Sequence, residues 1–120
     1  MLNRSALRPR HKNSGRQHEG KRFPSHLAWL RKRPCILEGK PGHVCMGRME
    51  AMHVDGAGGK GVGLKVADYC AVPGCSEAHR LYHDHGAASW QLAWGIDLDK
   101  SWRFYATHSP HKHLWESANA

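Results

Sequence analysis

Two histidines four residues apart are the first chemical signal in this sequence. In Cys75-Ser-Glu-Ala-His79-Arg-Leu-Tyr-His83 the spacing predicts that both imidazoles share one helical face, one turn apart. Two neutral imidazoles so placed can hold one metal ion. In a chain with eleven histidines, such a pair is as often a solvated face as a site. Two neighbours favour the site here. The helix opens at a cysteine, and a predicted hairpin before it carries a further histidine, His53.

The cysteines are the second signal. Cys35, Cys45, Cys70 and Cys75 contain no CxxC pair, so the strongest zinc spacing is missing. Cys35 and Cys45 flank a turn, and Cys75 opens the histidine helix. A structural zinc held by Cys35, Cys45, Cys75 and either Cys70 or His79 fits this arrangement. The competing reading makes one or more of them small buried apolar residues. Cys70 is the first candidate for that, because it falls within a predicted strand over residues 69–72.

A glycine-rich stretch invites a wrong assignment. Gly56-Ala-Gly58-Gly59-Lys60-Gly61 fits GxGxxG literally. A dinucleotide fold needs a buried strand before it and a helix opening at it. Neither is present, and no Ser or Thr follows a Lys as in a P-loop. The stretch reads as a mobile hairpin connection, with Lys60 and Lys65 available to phosphate.

These residues need a scaffold, and the chain has 120 residues with which to build one. That length excludes multidomain and solenoid architectures. No apolar run is long enough for a membrane helix, and no secretory signal follows the basic N-terminus. The charge is uneven. Residues 1–33 carry ten Lys/Arg and one acid, whereas residues 34–120 carry eight Lys/Arg and nine acids. A basic arm on a near-neutral body suggests a polyanion, most often nucleic acid, as partner. The alternative is a solvated tail that aids solubility.

Residues 1–24 read as a disordered arm bearing Arg4, Arg8, Arg10, Lys12, Arg16, Lys21 and Arg22. Ser25 is the expected N-cap of a helix over residues 26–33, stopped by Pro34. A strand over residues 50–54 carries His53. A second over residues 69–72 ends at Pro73 and Gly74. The histidine helix then runs from Cys75 or Ser76 toward Gly86, and Trp90–Trp94 suggests another. Asp97 is the expected cap of a helix that places Leu98, Trp102 and Tyr105 on one face. The expected domain spans residues 25–108, and residues 109–120 read as a frayed tail. The fold class is α+β. The apolar inventory is thin, which calls for a staple. Metal is favoured over disulfide in the absence of a secretory signal.

Several blocks together resemble a known family. They are Pro34-Cys35, Met52-His53, Gly61-Val-Gly-Leu-Lys65-Val-Ala-Asp68, Val72-Pro-Gly-Cys75 and His79-x3-His83-x2-Gly86. His26-Leu-Ala-Trp29-Leu-Arg31 matches the opening of the pattern, and Trp94-Gly-Ile-Asp97 through Trp102 its trailing helix. Order and spacing across residues 25–105 are similar to the small phage and prophage HNH nucleases, close to the recombination-enhancement (Ref-type) group. The resemblance implies a small ββα-metal finger with flanking helices. It implies His53 as general base, Asp68 as the residue orienting its ring, and His79 and His83 as ligands of Mg2+, Mn2+ or Zn2+. It implies DNA as substrate, a recombination or phage DNA-processing protein as a further candidate partner, no membrane, and the cytoplasm of a bacterial host as location.

The chain departs from that pattern at several places. The usual second cysteine after Cys35 is Glu38, which leaves Cys45 to substitute. Met52 stands where relatives often place a metal ligand, and a thioether is a poor ligand for a hard cation. Ala78 replaces a frequent histidine, and Gly74 the usual leucine. The leading expectation is therefore a metal-dependent endonuclease of low sequence specificity. A non-catalytic zinc module that binds nucleic acid on the same fold is the runner-up. A small structural phage protein with incidental histidines comes third.

Overall fold

A computed structural model describes residues 21–57 and 66–118 of the chain. Arg4, Arg8, Arg10, Lys12, Arg16, Lys60 and Lys65, assigned above to phosphate contact, lie outside the described residues. The architecture is α+β. Helix α1 (Pro24–Leu30) precedes strands β1 (Met49–His53) and β2 (Ala71–Cys75). Helices α2 (Ser76–Trp94), α3 (Leu98–His108) and α4 (Lys112–Ala118) follow.

Strands β1 and β2 pair antiparallel, with Met49 opposite Cys75 and His53 opposite Ala71. Alternation then sorts β1 into two faces. Glu50 and Met52 share one, and Met49, Ala51 and His53 the other. Met52 is buried, and its sulfur occupies the space where any residue but glycine at 74 would place a Cβ. The glycine is thus a packing requirement of the Met52 face.

Strand β2 is two to three residues later than the sequence suggests, and Pro73 lies inside it rather than ending it. The reason is edge position. The Pro73 carbonyl accepts from Ile36 N at 2.9 Å, so this residue's polar edge faces away from β1. Its missing N–H therefore costs no ladder bond.

Ser25 is not the cap of α1. Phe23 holds that position without a side-chain cap, and Pro24 opens the helix with its preset φ. The helix also stops at Leu30, three residues short of the expected end. The ordered body begins before residue 25. Phe23 is buried, its amide donates to Asp68 Oδ2 at 2.7 Å, and Lys21 O accepts from Asp68 N at 2.9 Å.

Cys75 caps α2 through its sulfur, which accepts from Ala78 N at 3.4 Å. Gly86 interrupts this helix with φ +84°, where the sequence places a helix end, and the second half carries Trp90 and Trp94. Asp97 caps α3 as expected, accepting from Lys100 N at 3.1 Å. Leu98, Trp102 and Ala106 form its buried face, with Tyr105 half-buried beside them.

The frayed tail is overturned. Residues 112–118 form α4, and Trp115 stacks on Tyr69 at 5.2 Å and meets Phe23 edge-on at 6.0 Å. Tyr69 OH donates to His111 O. One aromatic anchor offsets the ordering entropy of a short polar helix. The core thus collects Tyr69, Tyr82, Trp90, Leu30, Leu37 and Met52, all fully buried around the hairpin. No helix among the described residues is long and apolar enough to cross a membrane.

Candidate metal centres and a histidine–aspartate pair

The first centre grows from the loop between α1 and β1. Cys35 follows Pro34, and turns at Gly39 and Gly42, both with positive φ, fold residues 36–45 back on themselves. Cys75 arrives from the end of β2. Ligand atoms of Cys35, His43, Cys45 and Cys75 all lie within 4.8 Å of one another. Cys75 Sγ is 3.6 Å from His43 Nε2. A tetrahedral ion with ordinary Zn–S and Zn–N bonds separates such a pair by about 3.6 Å.

The sulfurs are prepared for negative charge. Cys35 Sγ accepts from Leu37 N at 3.4 Å and Cys75 N at 3.3 Å. Burial raises the Cys75 thiol. The amides of Ala78, Met46 and Glu77, with the Cys35 thiol, outweigh that and hold it below its ordinary value. Desolvation of its sulfur, then the Cys35 and Cys75 thiols, push Cys45 up to about 12. Cys35 and Cys75 thus oppose the ionisation of Cys45, and a cation that binds all three as thiolates would relieve that opposition. The four cysteines are unbridged, and this set can hold a metal ion such as zinc.

The expectation for the fourth ligand is corrected. It is neither Cys70 nor His79. Cys70 is buried apart from the cluster, and burial pushes its thiol up to about 11. His79 is engaged elsewhere. His43 completes the set, with its ring edge-on to Trp94 at 5.7 Å. The sequence signal was His43-Val-Cys45, two ligand types one residue apart beside a Pro-Gly turn.

The second group lies one turn further along α2. His79 Nδ1 is 2.6 Å from Glu50 Oε1, and His79 Nε2 is 3.0 Å from His83 Nε2. Cis nitrogens on an octahedral ion with bonds near 2.1 Å are separated by about 3.0 Å. The pair therefore has the spacing of shared ligands. His83 is exposed and His79 half-buried, so solvent reaches the site.

The third element is His53. Its Nε2 lies 2.9 Å from Asp68 Oδ1, and Asp68 is buried. The structure thus brings together two of the expected pairs, His53 with Asp68 and His79 with His83. Strand alternation points His53 away from the face that carries Glu50. A link joins the two regions at the strand end. Tyr82, the residue before His83, accepts from Asp55 N at 2.8 Å, two residues past His53.

No family model, curated protein or solved structure matches the chain.

Proposed function

We propose that this chain is a metal-dependent HNH endonuclease that hydrolyses DNA phosphodiester bonds with low sequence specificity. The observation that carries the reading is the His53–Asp68 hydrogen bond at the end of a hairpin that runs directly into a helix bearing His79 and His83. A carboxylate only accepts, so the proton between the two lies on His53 Nε2. His53 Nδ1 is left with a lone pair. The side chain is 36% exposed, and the reading requires water to reach that nitrogen. In this reading His53 removes a proton from the attacking water, and Asp68 holds the ring and stabilises the imidazolium that forms.

His79 and His83 would hold a divalent cation. Such an ion supplies Lewis-acid stabilisation of charge on the phosphate and on the leaving oxygen. Strand alternation sets His53 on the face opposite Glu50, so the reading requires the phosphate to bridge the strand end, where Tyr82 OH accepts from Asp55 N. Cys35, His43, Cys45 and Cys75 would hold a zinc ion that fixes the base of the hairpin. Exposed Arg22, Arg31 and Lys32 extend the basic arm onto the described body and would contact phosphates.

Nicking of supercoiled plasmid across a Mg2+, Mn2+ and Zn2+ series tests the reading. Nicking should need the added ion. His53→Ala should slow it by roughly 10²–10⁴-fold, the usual worth of a general base. An unchanged rate in that variant rejects the assignment. Met52 favours a second reading. Its buried thioether faces α2 beside the residue expected to act as base, where a harder ligand would complete a cation site. A non-catalytic zinc module that binds DNA would show salt-dependent binding and no cleavage with any ion.

A further inference from the structure

Glu50 takes no part in the reading above, yet both of its oxygens are held by side chains of α2. Its Oε1 meets His79 Nδ1 at 2.6 Å, and its Oε2 accepts from Ser76 Oγ at 3.0 Å. Ser76 is itself fixed to the loop before β1 by its amide, which donates to Arg48 O at 2.9 Å. Arg48 Nε lies 3.9 Å from the same carboxylate. Both Glu50 oxygens are therefore committed. The carboxylate sits at a strand position whose face and register are set by the hairpin.

We propose that Glu50 is the positioning residue of a divalent-cation site at His79 and His83. The inference rests on the reading of those two histidines as cation ligands. The carboxylate accepts from His79, so the His79 proton is on Nδ1. In the neutral ring its Nε2 then carries a lone pair, and that nitrogen faces His83 Nε2 at 3.0 Å. Without an ion, His83 must donate from Nε2 to make this contact. With an ion, both Nε2 atoms must be unprotonated, and His83 carries its proton on Nδ1. Glu50 thus fixes the tautomer and ring plane of His79 in advance, and only His83 has to change. Carboxylates that accept the second N–H of a ligating histidine play this part in metal sites generally, and their loss costs roughly 10–100-fold in affinity.

The test uses full-length protein with one equivalent of zinc, to fill the thiolate centre, and Mn2+ as the probe ion. Mn2+ affinity is read from the free-ion electron paramagnetic resonance signal. Imidazole nitrogen shifts report the tautomers. His79→Ala should abolish the site. Glu50→Ala should weaken Mn2+ roughly 10–100-fold. Glu50→Gln keeps an acceptor oxygen and should recover part of the loss. The His79 nitrogens should show Nδ1–H in the parent chain and lose that signature in Glu50→Ala. Unchanged Mn2+ affinity in Glu50→Ala, with His79→Ala defective, overturns the role of Glu50 alone. Unchanged affinity in His79→Ala overturns the cation reading of the histidines and this proposal with it.

Discussion

Cys75 caps the helix that carries His79 four residues later, yet they belong to centres built differently. Around Cys75, four ligand atoms from three segments converge within 4.8 Å, and Cys35 and Cys75 are buried. Around His79, two imidazoles face each other at 3.0 Å with solvent beside them. Three thiolates and an imidazole would close the coordination of a tetrahedral ion and leave nothing for a substrate. Two imidazoles leave most of an ion's positions open. In the proposed reading, structure falls to the first centre and chemistry to the second. The contrast also sets an order of dependence. The closed centre anchors the start of α2 through Cys75, and Ser76 then holds Glu50, which holds His79.

Removing one centre at a time is the harshest test of that contrast. Cys75→Ser removes a ligand and the sulfur cap of α2 together. It should abolish binding of one tightly held zinc and unfold the hairpin, because structural zinc contributes about 10–16 kcal/mol in small zinc domains. Far-ultraviolet circular dichroism during chelator titration would show the same collapse in the parent chain. His79→Ala should keep one zinc per chain and shift stability by no more than about 1 kcal/mol. Equal losses of structure in both variants would erase the distinction.

A finer cut probes the fourth ligand. His43→Ala leaves three sulfurs and should weaken zinc by more than the roughly 100-fold that losing a hydrogen-bonded supporting group costs. His43→Cys should restore tight binding, since four thiolates are an ordinary structural set for zinc. Competition with a chromophoric chelator measures both. Zinc affinity unchanged in His43→Ala would leave a three-thiolate site, open like its neighbour.

The two centres were unequally legible in the sequence. His79 and His83 follow from helical period alone, because helix geometry fixes which residues meet. Cys35, Cys45 and Cys75 were recognisable by type. His43 was not, because nothing periodic governs a loop that closes through glycines with positive φ. Glu50 was missed for another reason. Its contact with His79 spans 29 residues and depends on hairpin register, which a misplaced β2 could not supply. The same error put Pro73 and Gly74 outside the strand. At the far end, Trp115 lies in a polar stretch without an apolar pattern, so its docking on Tyr69 left no trace in the periodicity.

Acid would strip metal from either proposed centre, so the contribution of the body has to be separated from theirs. His26 makes that possible. It is fully buried, stacked on Tyr69 at 4.0 Å, with Nδ1 2.9 Å from Ser109 Oγ. Burial, then the charge of His111, push its imidazole down to about 4, against the pull of Asp68. Between the ordinary 6.5 and that value, the unfolded chain takes up a proton that the folded chain excludes. Stability is therefore whole above pH 6.5 and falls as the pH drops through the window. The loss reaches about 3 kcal/mol near pH 4. Denaturant midpoints at fixed zinc should show this slope in the parent chain and not in His26→Gln. Zinc release, followed in parallel, should keep the same midpoint in both.

The smallest effect supplies the control that the comparison needs. Asp97 caps α3 through Lys100 N and touches neither centre. Asp97→Ala should cost about 1 kcal/mol, the usual worth of an N-cap, and lower the melting temperature accordingly. Zinc affinity at the thiolate centre and Mn2+ affinity at His79 should both stay where they are. If general destabilisation of this size weakened Mn2+ as much as Glu50→Ala does, the open centre would be reporting global stability rather than its own geometry. Unequal responses instead tie each centre to the particular side chains that hold it.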